Sequence, residues 1–186
     1  MEKLRIFIAI AIPAEIKTRI DDLQSALKGF RSRISWTKPD NVHLTLKFLG
    51  DVEKQSIEAV SAAIDSACTG AAPFELSVQG TGAFPNSRAP RVLWVGFEGE
   101  LEKLFDLQKH VERELAAIGL PEETRKFSAH LTIGRVKSLS GIQPVMQTLA
   151  ASVFDGGKFV VNQVDVMQSV LHRDGAIYTR LSQTTF

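Results

Sequence analysis

The sequence predicts an α+β fold in which two pseudo-twofold-related lobes turn antiparallel sheets toward a central cleft, with helices outside. Three observations predict it. Several short runs alternate apolar and polar residues, as half-buried strands do. Between them, apolar residues recur at helical steps of three and four. The order strand, helix, strand, helix, strand then appears twice at nearly equal spacing.

Arg5–Ile12 (RIFIAIAI) reads as the first strand, with Ile6, Ile8, Ile10 and Ile12 on one face. Its apolar run is far shorter than the ~20 residues of a membrane span. It also lacks a clear small-x-small cleavage site, so strand is preferred to signal segment. Pro13 suits a helix entry, and Ile16, Ile20, Leu23, Leu27 and Phe30 mark one helical face. His43–Gly50 (HLTLKFLG) is a second strand. A helix over about Glu53–Cys68 and a strand over about Phe74–Phe84 follow.

The second half repeats this order. Arg91–Phe97 is a strand, and Leu101, Leu104, Val111, Leu115 and Ile118 mark a helix. Ala129–Val136 (AHLTIGRV) is the second histidine strand, followed by a short helix through Ile142, Val145, Met146 and Leu149. Phe159–Val170 is read as one further strand. Arg5 precedes His43 by 38 residues, and Arg91 precedes His130 by 39. The repeats therefore span about 5–84 and 91–169, divided at the Pro85–Pro90 loop, within a single domain of 1–186. A final strand over about Ala176–Leu181 follows Asp174-Gly175, a strong hairpin-turn signal.

The 186 residues are 44% hydrophobic and 23% charged, which excludes wholesale disorder. A net charge of +1 argues against a whole-surface grip on nucleic acid. The single Cys68 rules out an intramolecular disulfide and a cysteine-based zinc site, and fits a reducing cytoplasm. No HExxH or comparable metal spacing joins the four histidines.

Two of those four begin the same pattern, His43-Leu44-Thr45-Leu46 and His130-Leu131-Thr132-Ile133. Chance predicts less than one His-x-Thr in a chain of this composition. Alternation puts each imidazole and its hydroxyl on one face, and the leucine row on the other. A lone histidine beside threonine is more often a hydrogen-bonded sheet residue. Two copies, in register across a repeat, call for more than that.

A twofold relation would set the two pairs opposite each other with room for a small anion. Two imidazoles titrating near pH 6.5 can divide general acid and general base work, and the hydroxyls can donate to phosphate oxygens. No metal is needed for that chemistry.

The motifs HLTLKFLG and HLTIGR, at this separation, resemble those of the 2H phosphoesterase superfamily. Within it they are most similar to the RNA 2′,3′-cyclic phosphodiesterases, also called 2′-5′ RNA ligases. RIFIAIAIP, then Trp36 with Pro39 and Asn41, and the strand around Tyr178 extend the resemblance over essentially the whole chain. It implies that His43, Thr45, His130 and Thr132 form the catalytic set without a cofactor. It further implies that His130 is the base for water and His43 the acid at the leaving 3′ oxygen. Ala129 departs from the family pattern, where proline often precedes the second histidine.

Other residues are candidates of lower rank. Strict alternation puts Arg135 on the core side, a poor place for an unpaired guanidinium; a bulge at Gly134 would turn it to the cleft as a phosphate ligand. Lys47 shares the His43 face and is read as a backbone-phosphate contact or a solvated lysine. Phe48 alternates with the core residues, with a base contact as the alternative. Trp36 and Tyr178 are read as stacking platforms or as packing residues. His110 reads as a helix-boundary residue, and His172 as an exposed turn residue.

Basic residues flank both motifs, whereas residues 51–120 are net acidic. This distribution suits a short RNA end better than a long duplex, and the resemblance implies that the partner is an RNA end or a small nucleotide bearing a 2′,3′-cyclic phosphate. The expected protein is a monomer without membrane association. A binding module that keeps the cleft without catalysis is the competing class, and the intact histidines of both halves argue against it. A related activity on a small cyclic nucleotide or 2′-5′ oligoadenylate is the nearer alternative.

Overall fold

In the computed structural model, which describes residues 2–173 and 175–186, two antiparallel sheets carry helices on their outer faces. The element order is β1 (Lys3–Ala11), α1 (Ala14–Lys28), β2 (Ile34–Trp36), β3 (His43–Glu53), α2 (Ile57–Cys68), β4 (Phe74–Phe84), β5 (Val92–Gly99), α3 (Leu101–Ala117), β6 (Leu131–Val136), α4 (Ile142–Ala151), β7 (Asp155–Val161), β8 (Gln163–His172) and β9 (Gly175–Thr185). Short 3-10 turns at Pro39–Asn41 and Lys54–Ser56 lead into β3 and α2. Asp174, half of the expected turn signal, lies outside the described residues. No helix among the described residues is long and apolar enough to cross a membrane.

The first sheet runs β3-β1-β8-β9 and the second β2-β6-β5-β4-β7. The repeats interlock. β4, last strand of the first repeat, pairs with β5 of the second, and β8 of the second pairs with β1 of the first. Each sheet is thus assembled across the repeats, so the lobes do not coincide with residues 5–84 and 91–169. The strand expected over Phe159–Val170 is two strands, which part at Asn162 and enter different sheets. β2, three residues long, is too short to show a period.

Alternation sends the first face of each motif strand to the core. Ile8, Leu44, Leu93, Leu131 and Ile133 are fully buried, each contributing about 1.5–3 kcal/mol of apolar burial. The helices close the back with Ile16, Ile20 and Leu27 of α1, Val60 and Ile64 of α2, and Leu104, Val111 and Leu115 of α3. Gln24 on the α1 face is also fully buried. Its Nε2 donates to the carbonyls of Thr37 (2.8 Å) and Ile133 (2.7 Å), tying α1 to the second histidine strand.

The first sheet coils strongly. By register its β3 start (His43 opposite Ala11) and β9 start lie at diagonal corners, with β8 leaving β1 after Gln168 opposite Ile6. Yet Asn41 Nδ2 donates to Ala176 O at 2.8 Å, so the corners meet. Extra residues at Leu46 and Leu49 in β3 and at Leu181 in β9 are β-bulges, which sharpen the right-handed twist that produces this closure.

Candidate active site

β3 and β6, the two histidine strands, belong to different sheets, and their Cα atoms approach within 8 Å. Both carry a bulge at the same motif position. On β3, Thr45 faces Ala9 and Lys47 faces Ile8, which leaves Leu46 extra. On β6, Thr132 faces Trp94 and Gly134 faces Leu93, which leaves Ile133 extra. One added residue reverses the alternation beyond it. The fifth residue of each motif (Lys47, Gly134) therefore turns to the core, and the sixth (Phe48, Arg135) joins the histidine side.

This corrects two expectations. Lys47 does not share the His43 face; its side chain is 4% exposed and its ammonium is held by Glu112 and the Pro121 carbonyl. Phe48 is not a core residue: it is 68% exposed, with its ring 6.0 Å from that of Phe7. Arg135 is exposed and makes no ion pair among the described residues, the bulge having spared it the core. Of the two readings of Trp36, stacking platform or packing residue, the structure shows the second. Trp36 stands opposite Gly134 on the core side, its ring where a Gly134 Cβ would be 3.1 Å from Cε3, and packs behind the strand instead of offering a platform.

The histidines are held alike. His43 Nδ1 lies 2.8 Å from Asn41 O, and His130 Nδ1 lies 2.7 Å from Ser128 O, each a carbonyl two residues back. A carbonyl only accepts, so Nδ1 carries the proton on both rings and Nε2 is the unprotonated nitrogen of each neutral ring. The hydroxyls of Thr45 and Thr132, half-buried on the same faces, have no hydrogen-bond partner among the described residues. They are available to an anion.

Their surroundings differ. Phe7 stacks on His43 at 4.6 Å between ring centroids, and Tyr178 meets it edge-on at 5.2 Å. This burial lowers the His43 pKa to about 4; the Asn41 carbonyl opposes the shift and the Lys17 ammonium adds to it. His130 has Phe84 alone among ring contacts of the described residues, edge-on at 5.0 Å. Burial raises the Tyr178 pKa against the opposing pull of Arg135 and Arg5, so both guanidiniums stand within electrostatic reach of that ring.

Of the candidates, His43, Tyr178 and Phe48 gather around Phe7, while Arg135 follows His130 on the opposing strand. Phe7, Phe84, Lys17 and Gln24 escaped the sequence reading. Phe7 sits inside a continuous apolar run and looks like core, which it also is at 2% exposed. His110 and His172 are exposed, and Cys68 is buried with its thiol pKa pushed up to about 11. No three His, Cys, Asp or Glu side chains cluster as a metal site among the described residues.

A paired-sheet α+β fold presenting two bulged His-x-Thr strands, one from each sheet, is the architecture of a two-histidine (2H) phosphoesterase. The family model described as "LigT like Phosphoesterase" matches twice, over residues 10–94 and 95–178. The chain belongs to that family. Among its relatives, an RNA 2′,3′-cyclic phosphodiesterase of Methanothermobacter thermautotrophicus is 32% identical over 95% of this chain and 96% of its own length. One of Archaeoglobus fulgidus is 32% identical over 96% and 98%. Among solved structures, TT0787 of Thermus thermophilus superposes with a TM-score of 0.77 at 28% identity, covering 98% of this chain and 97% of that one. E. coli LigT complexed with 3′-AMP gives 0.77 at 25% identity, covering 100% and 99%.

Proposed function

We propose that this phosphoesterase opens 2′,3′-cyclic phosphates at RNA 3′ ends, leaving a 2′-phosphate, by metal-independent acid–base catalysis. The observation that carries the reading is the matched anchoring of two imidazoles. Each is fixed through Nδ1 to a backbone carbonyl, on the same strand face as a threonine hydroxyl that has no hydrogen-bond partner among the described residues. The names of the relatives supply the substrate class.

In-line displacement needs one group on either side of phosphorus. His130 Nε2 takes a proton from water as the water oxygen bonds to phosphorus; His43 Nε2–H gives a proton to the departing 3′ oxygen as its P–O bond breaks. Thr45, Thr132 and Arg135 donate to the non-bridging oxygens, whose charge grows in the transition state. Phe48 and Tyr178 flank the nucleoside. Burial keeps His43 neutral at pH 7. The anionic phosphodiester favours its protonated form, so the acid's proton is taken up with the substrate.

A 5′-hydroxyl replacing water in the same step, giving its proton to His130 Nε2 as the 3′ oxygen leaves, forms a 2′-5′ linkage, weakly, because bulk water competes. The enzyme acts in this reading as a cytoplasmic monomer. The test is turnover of one defined RNA ending in a cyclic phosphate, with EDTA present, by the native chain and by His43→Ala and His130→Ala. Native turnover that survives EDTA and is lost in both variants supports the reading. A loss restored by one divalent ion, or near-native turnover by either variant, contradicts it.

A further inference from the structure

The charge pair behind the first histidine strand, a buried Lys47 and a half-buried Glu112, has no part in the chemistry above, and its connections reach both motifs. Lys47 lies two residues after Thr45, turned inward by the Leu46 bulge. Its ammonium donates to a Glu112 carboxylate oxygen from α3 and, at 2.8 Å, to Pro121 O. Glu112 in turn accepts from Gln108 Nε2 (3.2 Å) and from the backbone N–H of Glu123 (3.3 Å).

Pro121 and Glu123 open an arm, residues 120–129, that has neither helix nor strand and is mostly exposed. The arm ends in Ser128, whose carbonyl orients His130. Just before Ser128, Phe127 is held edge-on to Phe105 of α3, with ring centroids 6.1 Å apart. Leu120 and Ala129, at the two ends of the arm, also pack against the core, while residues 121–126 are exposed.

We propose that Lys47 and Glu112 are positioning residues that fix the arm bearing His130 against the strand bearing His43. The inference rests on the two-histidine reading. In-line displacement tolerates little error in the separation of acid and base, and the two histidines come from different sheets. A buried pair is a weak source of stability, since an apolar pair of similar volume often replaces it without loss. Its retention here is explained by the registry it sets between two motifs 87 residues apart (His43 to His130).

The experiment is the double variant Lys47→Met/Glu112→Leu, which removes both charges together. Its denaturation midpoint should match that of the native chain. Amide exchange across 120–129 should accelerate at least tenfold while the sheet amides keep their protection. On a cyclic-phosphate dinucleotide, kcat should fall at least tenfold with KM changed less than twofold. Native-like exchange in the arm overturns the link. Faster exchange with unchanged kcat overturns the positioning role, and a midpoint that falls in step with kcat shows a merely structural pair. Should the native chain not turn over the dinucleotide, the phosphodiesterase reading fails, while the exchange result still decides the link. If the double variant does not fold, Glu112→Gln alone, which keeps the acceptor oxygen, gives the same exchange and kcat readouts.

Discussion

The two histidine strands share a motif, a bulge and an anchoring carbonyl, yet they are embedded differently. His43 sits between Phe7 and Tyr178 where two corners of a coiled sheet close over it. His130 lies at the end of an irregular arm, with one aromatic edge against it. Behind the first strand the fifth motif residue is a buried lysine in an ion pair; behind the second it is a glycine under Trp36. The repeat supplies two imidazoles anchored alike, and the surroundings make them unequal. One ring is desolvated in a closed corner, and the other is held by the carbonyl of an irregular segment.

The largest break in this comparison comes from the back of the strands. Lys47→Met alone leaves the half-buried Glu112 carboxylate without its cation and should cost about 3 kcal/mol in a urea titration, the low end for breaking a buried pair. The next largest effect is titration of His43. Above pH 6.5 its neutral ring is at ease in both folded and unfolded chains. As pH falls toward 4 the unfolded chain binds a proton that the folded one resists, so stability drops, by roughly 3 kcal/mol in all. Stability curves of the native chain and His43→Gln, measured from pH 7 to 4, should converge as pH falls. Parallel curves would show that the ring titrates normally.

His43→Ala and His130→Ala should each lower kcat about 100-fold or more, the usual effect of removing a positioned acid or base. The pH–rate profile should be bell-shaped, with apparent pKa values that belong to the pair. Gly134→Ala sharpens the contrast at the fifth position: its Cβ would lie 2.8 Å from Ile34 Cγ2, so overpacking should cost about 1–3 kcal/mol by urea titration. Thr45→Ala and Thr132→Ala should give the smallest effects, about 1–3 kcal/mol in kcat/KM, the scale for one charged hydrogen bond.

Most of the fold was legible because alternation and helical spacing survive at single-sequence level, and because the repeat doubles every signal. His43, Thr45, His130 and Thr132 were legible for the same reason. What escaped was whatever depends on a partner strand. A bulge is one residue unmatched across a ladder, so the motif alone could not show that Lys47 turns inward and Phe48 outward. Arg135, charged at an apparent core position, gave the only hint. Interlocking of the repeats was equally hidden, since β4 and β8 read identically whichever sheet they join. Phe7 was masked by its apolar neighbours: the coil of the sheet, not the strand pattern, brings its ring to His43.

The assignment of one histidine to each side of phosphorus is tested most directly by the bond that breaks. Expelling the 3′ oxygen leaves phosphate on the 2′ oxygen, and microscopic reversibility then requires any joined product to be 2′-5′ linked. Phosphorus NMR of the product from an RNA ending in a 2′,3′-cyclic phosphate should show a 2′-monophosphate. A 3′-monophosphate as the main product would contradict the leaving-group assignment, the histidine roles and the 2′-5′ linkage together.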